Sequence, residues 1–213
     1  FIRSIKVAVY ATAICLIIGY PVAYIIARGN IKHSEIALLL IMLPMWMNLL
    51  IRTYCWMNLL ETNGLINTLL GTEWTMLGTS GAVILGMVYN FLPYMILPIY
   101  TVMLKADRSL IEAAQDLGGN KLDVFRNVTI PLSIPGVVSG FTMVFVPSVS
   151  TFYISQKLGG TGTILIVDII ETQFQTANNF NLGASLSFVL MILIFICLAV
   201  MNRFSDDDGG VII

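Results

Sequence analysis

Five stretches of this chain are each long and apolar enough to cross a lipid bilayer, and nothing else in its 213 residues constrains the fold so tightly. Crossing about 30 Å of hydrocarbon takes roughly 20 mostly apolar residues in a helix rising about 1.5 Å per residue. The stretches are 7–27, 36–60, 82–104, 131–154 and 184–201. Only 11% of the residues are charged and 57% are apolar, with a mean hydropathy of +0.88. A soluble domain carries roughly 25% charged residues, so this chain lacks the polar surface to coat a globule in water. The expected fold is an all-α, polytopic transmembrane helical bundle, one domain over 1–213, with the lipid bilayer as its solvent.

Charge and cysteine usage exclude several function classes. A net charge of −1 and a pI of 5.7 give no basic face for nucleic acid. Cys15, Cys55 and Cys197 lie in or at the ends of apolar runs, which excludes a disulfide framework or a metal-ligand cluster as organising principle. No Gly-x-x-x-x-Gly-Lys-Ser/Thr occurs, so the chain cannot hydrolyse ATP alone. There is no His-Glu-x-x-His or Gly-x-Ser-x-Gly, and no acid pair sits in a span, so neither a membrane enzyme nor a proton-driven transporter is indicated. No metal or cofactor is expected in this chain.

Orientation follows from the basic residues. Arg28 and Lys32, then Lys105, Arg108, Lys121 and Arg126, then Arg203 fall on one side; Arg3, Lys6 and Lys157 fall on the other. The balance places the 105–130 loop in the cytoplasm. With five spans and a cytoplasmic C-terminus, Phe1 is outside, which leads us to expect a further helix upstream of it or a processed N-terminus. Pro21, Pro93, Pro98, Pro135 and Pro147 each remove a backbone hydrogen bond inside a span. Kinked helices around a cavity are the expectation, since neighbouring helices or cavity water must satisfy the freed carbonyls.

The 105–130 loop reads as two short amphipathic helices broken at Gly118-Gly119. Ser109 is placed to cap the first, with Glu112 at the capping-box spacing. Leu110, Ala113, Ala114 and Leu117 form an apolar face on a cytoplasmic element, and such a face wants a protein partner.

Glu112-Ala113-Ala114, then Gly118, Val128, Ile130 and Pro131, resemble the EAA loop of ABC importer permeases, with Val128 and Ile130 in the pattern's apolar slots. The resemblance implies a MetI-like membrane domain whose 105–130 loop is a coupling helix docking into a groove of a cytoplasmic ATPase. Glu112, Ala113, Ala114, Gly118 and Pro131 carry that role over. The run Gly19 to Tyr24, Leu43-Pro44, Leu50-Ile51-Arg52 and Phe152-Tyr153 are similar to the spermidine/putrescine branch, and the likeness covers nearly the whole chain. What it implies is a complex of two permeases, this one the first, with an ATPase dimer that holds ATP and Mg. A polyamine-binding protein would feed it outside the bacterial cytoplasmic (inner) membrane.

The residues themselves favour a cation weakly. Glu61, Glu73, Asp168 and Glu171 face Lys157 in the outer loops, a balance that attracts a polycation. The substrate path is expected along Trp46, Tyr54, Tyr89, Tyr94, Tyr153, Asp168 and Glu171, since aromatic faces stabilise desolvated ammonium groups. For each aromatic alone, an interfacial belt remains open as the other reading. Arg52, about 24 Å along its helix from Ile36, is expected to snorkel outward, with Glu171 or a partner subunit as candidate contact. Gly136 and Gly140 have the spacing for close helix approach, to a second permease or within the chain. His33 reads as a surface residue, and Asp206 to Asp208 as a solvated tail. A permease for another small solute, or a self-sufficient channel or secondary transporter, are the alternatives.

Overall fold

A computed structural model describes residues 1–29, 34–71, 74–160 and 163–208. Lys32, His33 and Glu73 lie outside the described residues, as do the side chains of Arg108, Arg203 and Asp206 to Asp208. The described residues form helices and loops with no strand. In order these are α1 (Ile2–Arg28), α2 (Ser34–Trp46), α3 (Leu49–Leu60), α4 (Leu65–Leu70), α5 (Ser80–Lys105), α6 (Arg108–Asp116) and α7 (Lys121–Val124). A π-helical turn, Phe125–Thr129, joins α7 to α8 (Ile130–Ser150); a second, Ser155–Gly159, precedes α9 (Ile166–Gln175) and α10 (Phe180–Asp208). Among the described residues, four helical stretches are long and apolar enough to span a membrane: Ile2–Arg28, Ser80–Lys105, Lys121–Ser150 and Phe180–Val200.

The fifth expected span is not one helix. Between Trp46 and Leu49 the path of stretch 36–60 bends by 91°, so α2 and the helical stretch Leu49–Leu69 are a broken span or a re-entrant pair. Pro44 stands in the last turn of α2, where it has no N–H to continue the ladder. Asn48 then starts a new helix, its Oδ1 accepting from the Leu50 amide at 2.8 Å. The sharpest bend therefore comes after a proline outside the set expected to kink the spans. The 131–154 stretch also divides, because α8 ends at Ser150 and the chain turns through Thr151 and Phe152.

The core is a triad of α1, α5 and α8. Small residues let the backbones approach: α1 buries Ala8, Ala11, Cys15, Gly19 and Ala23 along one stripe. Met87, Met95, Ile96, Ile99 and Val144 fill the space between and are fully buried. Buried hydroxyls are satisfied within their own helices, Thr12 on the Ala8 carbonyl and Ser148 on the Val144 carbonyl. α10 packs on α9 and α8 through Leu186 and Leu190, and leaves Phe188, Phe195 and Ile196 exposed, a surface suited to lipid.

Gly136 and Gly140 belong to this triad. A Cβ on Gly136 would lie 2.9 Å from the Pro98 carbonyl oxygen and 3.0 Å from Ile99 Cα; one on Gly140 would lie 2.9 Å from Met95 Sδ. Internal packing, not a second subunit, thus explains their spacing. Gly136→Leu is expected to cost at least about 1–3 kcal/mol, because backbone cannot yield as a side chain does. A lower thermal unfolding midpoint of the detergent-solubilised protein checks this; an unchanged midpoint contradicts it.

Candidate coupling segment and outer mouth

On one side, α5 ends at Lys105 and the chain reverses into α6 through Ala106 and Asp107. The cap of α6 is Asp107, whose Oδ1 accepts from the Ser109 amide at 3.0 Å, so the expected Ser109–Glu112 capping box does not form. Bonds from the Ser109 amide and then its hydroxyl hold the Asp107 carboxyl below the usual range. An earlier, stronger acceptor simply takes the position, and Glu112 is left exposed.

The far end matches the sequence reading. Gly118 has φ +87°, where only glycine avoids the Cβ penalty. Its N–H donates to the Gln115 carbonyl at 2.9 Å and that of Gly119 to Ala114 at 3.1 Å, the Schellman pattern. A Cβ on Gly119 would meet the Ala114 oxygen at 2.7 Å. After the turn, Asn120 and Asp123 cap α7 reciprocally. The second expected short helix, however, runs on into α8 as one helical stretch from Lys121 to Ser150. The π turn at Phe125–Thr129 lies one residue before Pro131, where an ordinary helix would bring the proline ring against a carbonyl.

None of residues 109–119 is buried, and Leu110 and Leu117 are 47% and 90% exposed. The part of α6 and its turn that bears Leu110 and Leu117 is therefore left largely uncovered by the described residues. Tyr24, Arg28, Ile111, Glu112 and Gln115 line a cavity of about 290 Å³ between α1 and α6.

At the opposite side, the turn after α8 is organised by Asp168. Its Oδ2 accepts from the Leu165 amide and its Oδ1 from the Ser155 hydroxyl, each at 2.7 Å. Burial pushes its pKa up, and those two bonds offset part of the rise. Asp168 thus caps α9 and ties it to the Ser155–Gly159 turn, which sequence reasoning about charge could not see. Asp168→Asn puts an amide donor against one of two donors and is expected to cost about 1–3 kcal/mol. A lower unfolding midpoint and faster proteolysis around 155–165 check it; wild-type resistance contradicts it.

Beside it, Glu171 Oε2 accepts from Gln156 Nε2 at 2.7 Å. The Tyr54 and Tyr153 rings meet edge to face at 6.3 Å between centroids, and Lys157 Nζ stands 5.4 Å and 5.9 Å from them. A cavity of about 400 Å³, lined by Gln156, Ile164, Asp168, Thr172 and Gln173 among others, opens between the Ser155–Gly159 turn and α9. Of the residues expected on a substrate path, Tyr54 and Tyr153 meet each other, while Asp168 and Glu171 bond Ser155 and Gln156 of the adjoining turn. Tyr89 pairs instead with Trp56 at 5.2 Å, Tyr94 with Phe91 at 6.4 Å, and Trp46 sits 75% exposed at the α2–α3 bend. Sequence reasoning missed Lys157 and Gln156. The signal was available, because Tyr153 and Lys157 are four residues apart.

Arg52 makes no contact with Glu171. Its guanidinium lies against a cavity of about 280 Å³ lined by Met47, Cys55, Trp56, Leu59 and Tyr89, and its covered Nε and Nη1 have no hydrogen-bond partner among the described residues.

Comparison with known proteins gives the family of the chain. Residues 7–206 match the family described as the binding-protein-dependent transport system inner membrane component. The spermidine/putrescine transport system permease protein PotB of Haemophilus influenzae is 37% identical over 207 residues, 94% of this chain and 72% of that protein. PotB of Escherichia coli K12 is 37% identical over 96% of this chain and 76% of its own length, and the inner membrane ABC transporter permease protein YdcU of E. coli K12 is 29% identical over 98% and 72%. Among solved structures, a chain of a bacterial ABC transporter involved in alginate import superposes with a TM-score of 0.80 over 97% of this chain and 79% of its own, at 15% identity, a likeness of fold. A multi-helix membrane bundle that matches the family over residues 7–206 is therefore a member of the binding-protein-dependent transport system inner membrane component family, the membrane-spanning permease subunits of ABC importers.

Proposed function

We propose that this permease translocates spermidine or putrescine across the bacterial cytoplasmic (inner) membrane by alternating access. The reading rests on the 37% identity to spermidine/putrescine permeases over more than nine-tenths of the chain. The outer mouth supports it independently. Lys157 carries a primary alkylammonium, the terminal group of a polyamine, and its Nζ lies over the rings of Tyr54 and Tyr153, while the neighbouring Gln156 bonds Glu171. Two aromatic faces stabilise a desolvated ammonium by up to about 2 kcal/mol.

Energy enters at the other side. The unburied apolar face of α6, with Glu112, Ala113 and Ala114 on it and Gly118 closing it, docks in a groove of an ATPase subunit; Pro131 lies in the span that the movement reaches. ATP and Mg belong to a dimer of that ATPase, a second homologous permease completes the pathway, and a polyamine-binding protein delivers the substrate from outside. ATPase closure pushes α6, and the bent helices swing between inward-open and outward-open states.

The test is ATP hydrolysis by the reconstituted complex in the presence of its binding protein. Spermidine or putrescine is expected to stimulate it. Stimulation by an unrelated solute and not by polyamines overturns the substrate and leaves the permease standing.

A further inference from the structure

The coupling segment is held to the rest of the chain at its two ends, and one face of one helix holds both. Tyr20, Tyr24 and Arg28 are spaced four residues apart on the last turns of α1, a spacing that stacks side chains on one helix face. Arg28 Nη2 donates to the Ala106 carbonyl at 3.2 Å, where α5 ends and the segment begins. A cation there also meets the negative end of the α5 dipole. Where the segment returns, Phe125 of the π turn packs edge-on against Tyr24 at 5.4 Å and Tyr20 at 6.1 Å. One turn further, the Tyr20 hydroxyl and the Ser133 hydroxyl are hydrogen-bonded at 2.9 Å.

Between those anchors, residues 109–119 are unburied, so α6 has little else in this chain to push against. Arg28 also lines the cavity that Ile111, Glu112 and Gln115 of α6 share, and its covered Nε has no hydrogen-bond partner among the described residues. The other end of α1 reaches the outer mouth, for the Ser4 hydroxyl accepts from the Ile166 amide at 2.8 Å, at the start of the helix bearing Asp168 and Glu171.

We infer that Tyr20, Tyr24 and Arg28 form a coupling ladder. They are positioning residues that deliver displacement of α6 to α1, and along α1 to the outer segment. The ladder rests on α6 being the element the ATPase moves.

The experiment is done on the purified complex of this chain with its ATPase subunits, second permease and binding protein in proteoliposomes. The readout is solute transported per ATP hydrolysed, beside the amount of ATPase retained on the tagged chain. Arg28→Gln is expected to retain the ATPase and to lower the transport ratio roughly three- to tenfold. Tyr20→Phe, which keeps the ring and loses one hydroxyl, lowers it less, and Arg28→Lys recovers part of the Arg28→Gln loss. A merely structural role would reduce the amount of complex and leave the ratio alone. A wild-type ratio in both Arg28→Gln and Tyr20→Phe overturns the ladder. If Arg28→Gln fails to assemble, Tyr20→Phe decides by the same criterion. A wild-type chain that retains no ATPase overturns the coupling reading and the ladder together, an outcome distinct from failure of the variants alone.

Discussion

Replacing Glu112 by arginine is expected to release the ATPase from the complex. Glu112 is exposed on a helix with no buried residue among its described side chains, so the substitution leaves the fold of this chain intact and acts on the surface proposed to dock. Charge reversal at the centre of an interface typically costs about 2 kcal/mol or more, roughly a thirtyfold loss of affinity. Co-purification of the ATPase on the tagged permease measures it. Gly118→Ala gives a second route to the same end, for at φ +87° an alanine costs about 1–2 kcal/mol and unwinds the turn that sets the angle of α6. Retention of the ATPase at wild-type level by Glu112→Arg would remove Glu112 from the interface.

The second large effect is expected at the outer mouth. Tyr54→Leu and Tyr153→Leu together remove both aromatic faces beside Lys157 and are expected to raise the half-saturating polyamine concentration roughly tenfold. Phenylalanine at both positions keeps the faces and discards the hydroxyls, and is expected to stay within roughly threefold of wild type. Uptake of radiolabelled spermidine into proteoliposomes across a concentration series separates the two. Equal defects for leucine and phenylalanine would mean the hydroxyls, not the ring faces, matter.

Much of this molecule was legible in its sequence because lipid imposes simple rules. Apolar runs of membrane-spanning length gave four of the spanning helices directly, and the Gly118-Gly119 stop came from backbone sterics alone. Two of the misreadings share one origin, competition between local acceptors. Asp107 displaces Ser109 as the cap of α6, and Asn48 starts a helix inside what reads as one apolar span. Hydropathy averages over such residues, so the 91° bend at 46–49 is invisible to it. Asp168 shows the limit on the functional side. As a charge in an outer loop it reads as an attractor of cations, whereas its carboxyl oxygens bond the Leu165 amide and Ser155 hydroxyl. Lys157 shows the reverse, a residue counted only as a charge that proves to stand over two expected path residues.

The proposed mechanism requires α6 to be driven by a separate ATP-hydrolysing subunit. The direct measurement is spermidine uptake into proteoliposomes containing this permease, its partner permease and its binding protein, with and without the ATPase and ATP. Uptake that requires both is the expected result. Uptake at the same rate when the ATPase is left out would contradict that dependence outright.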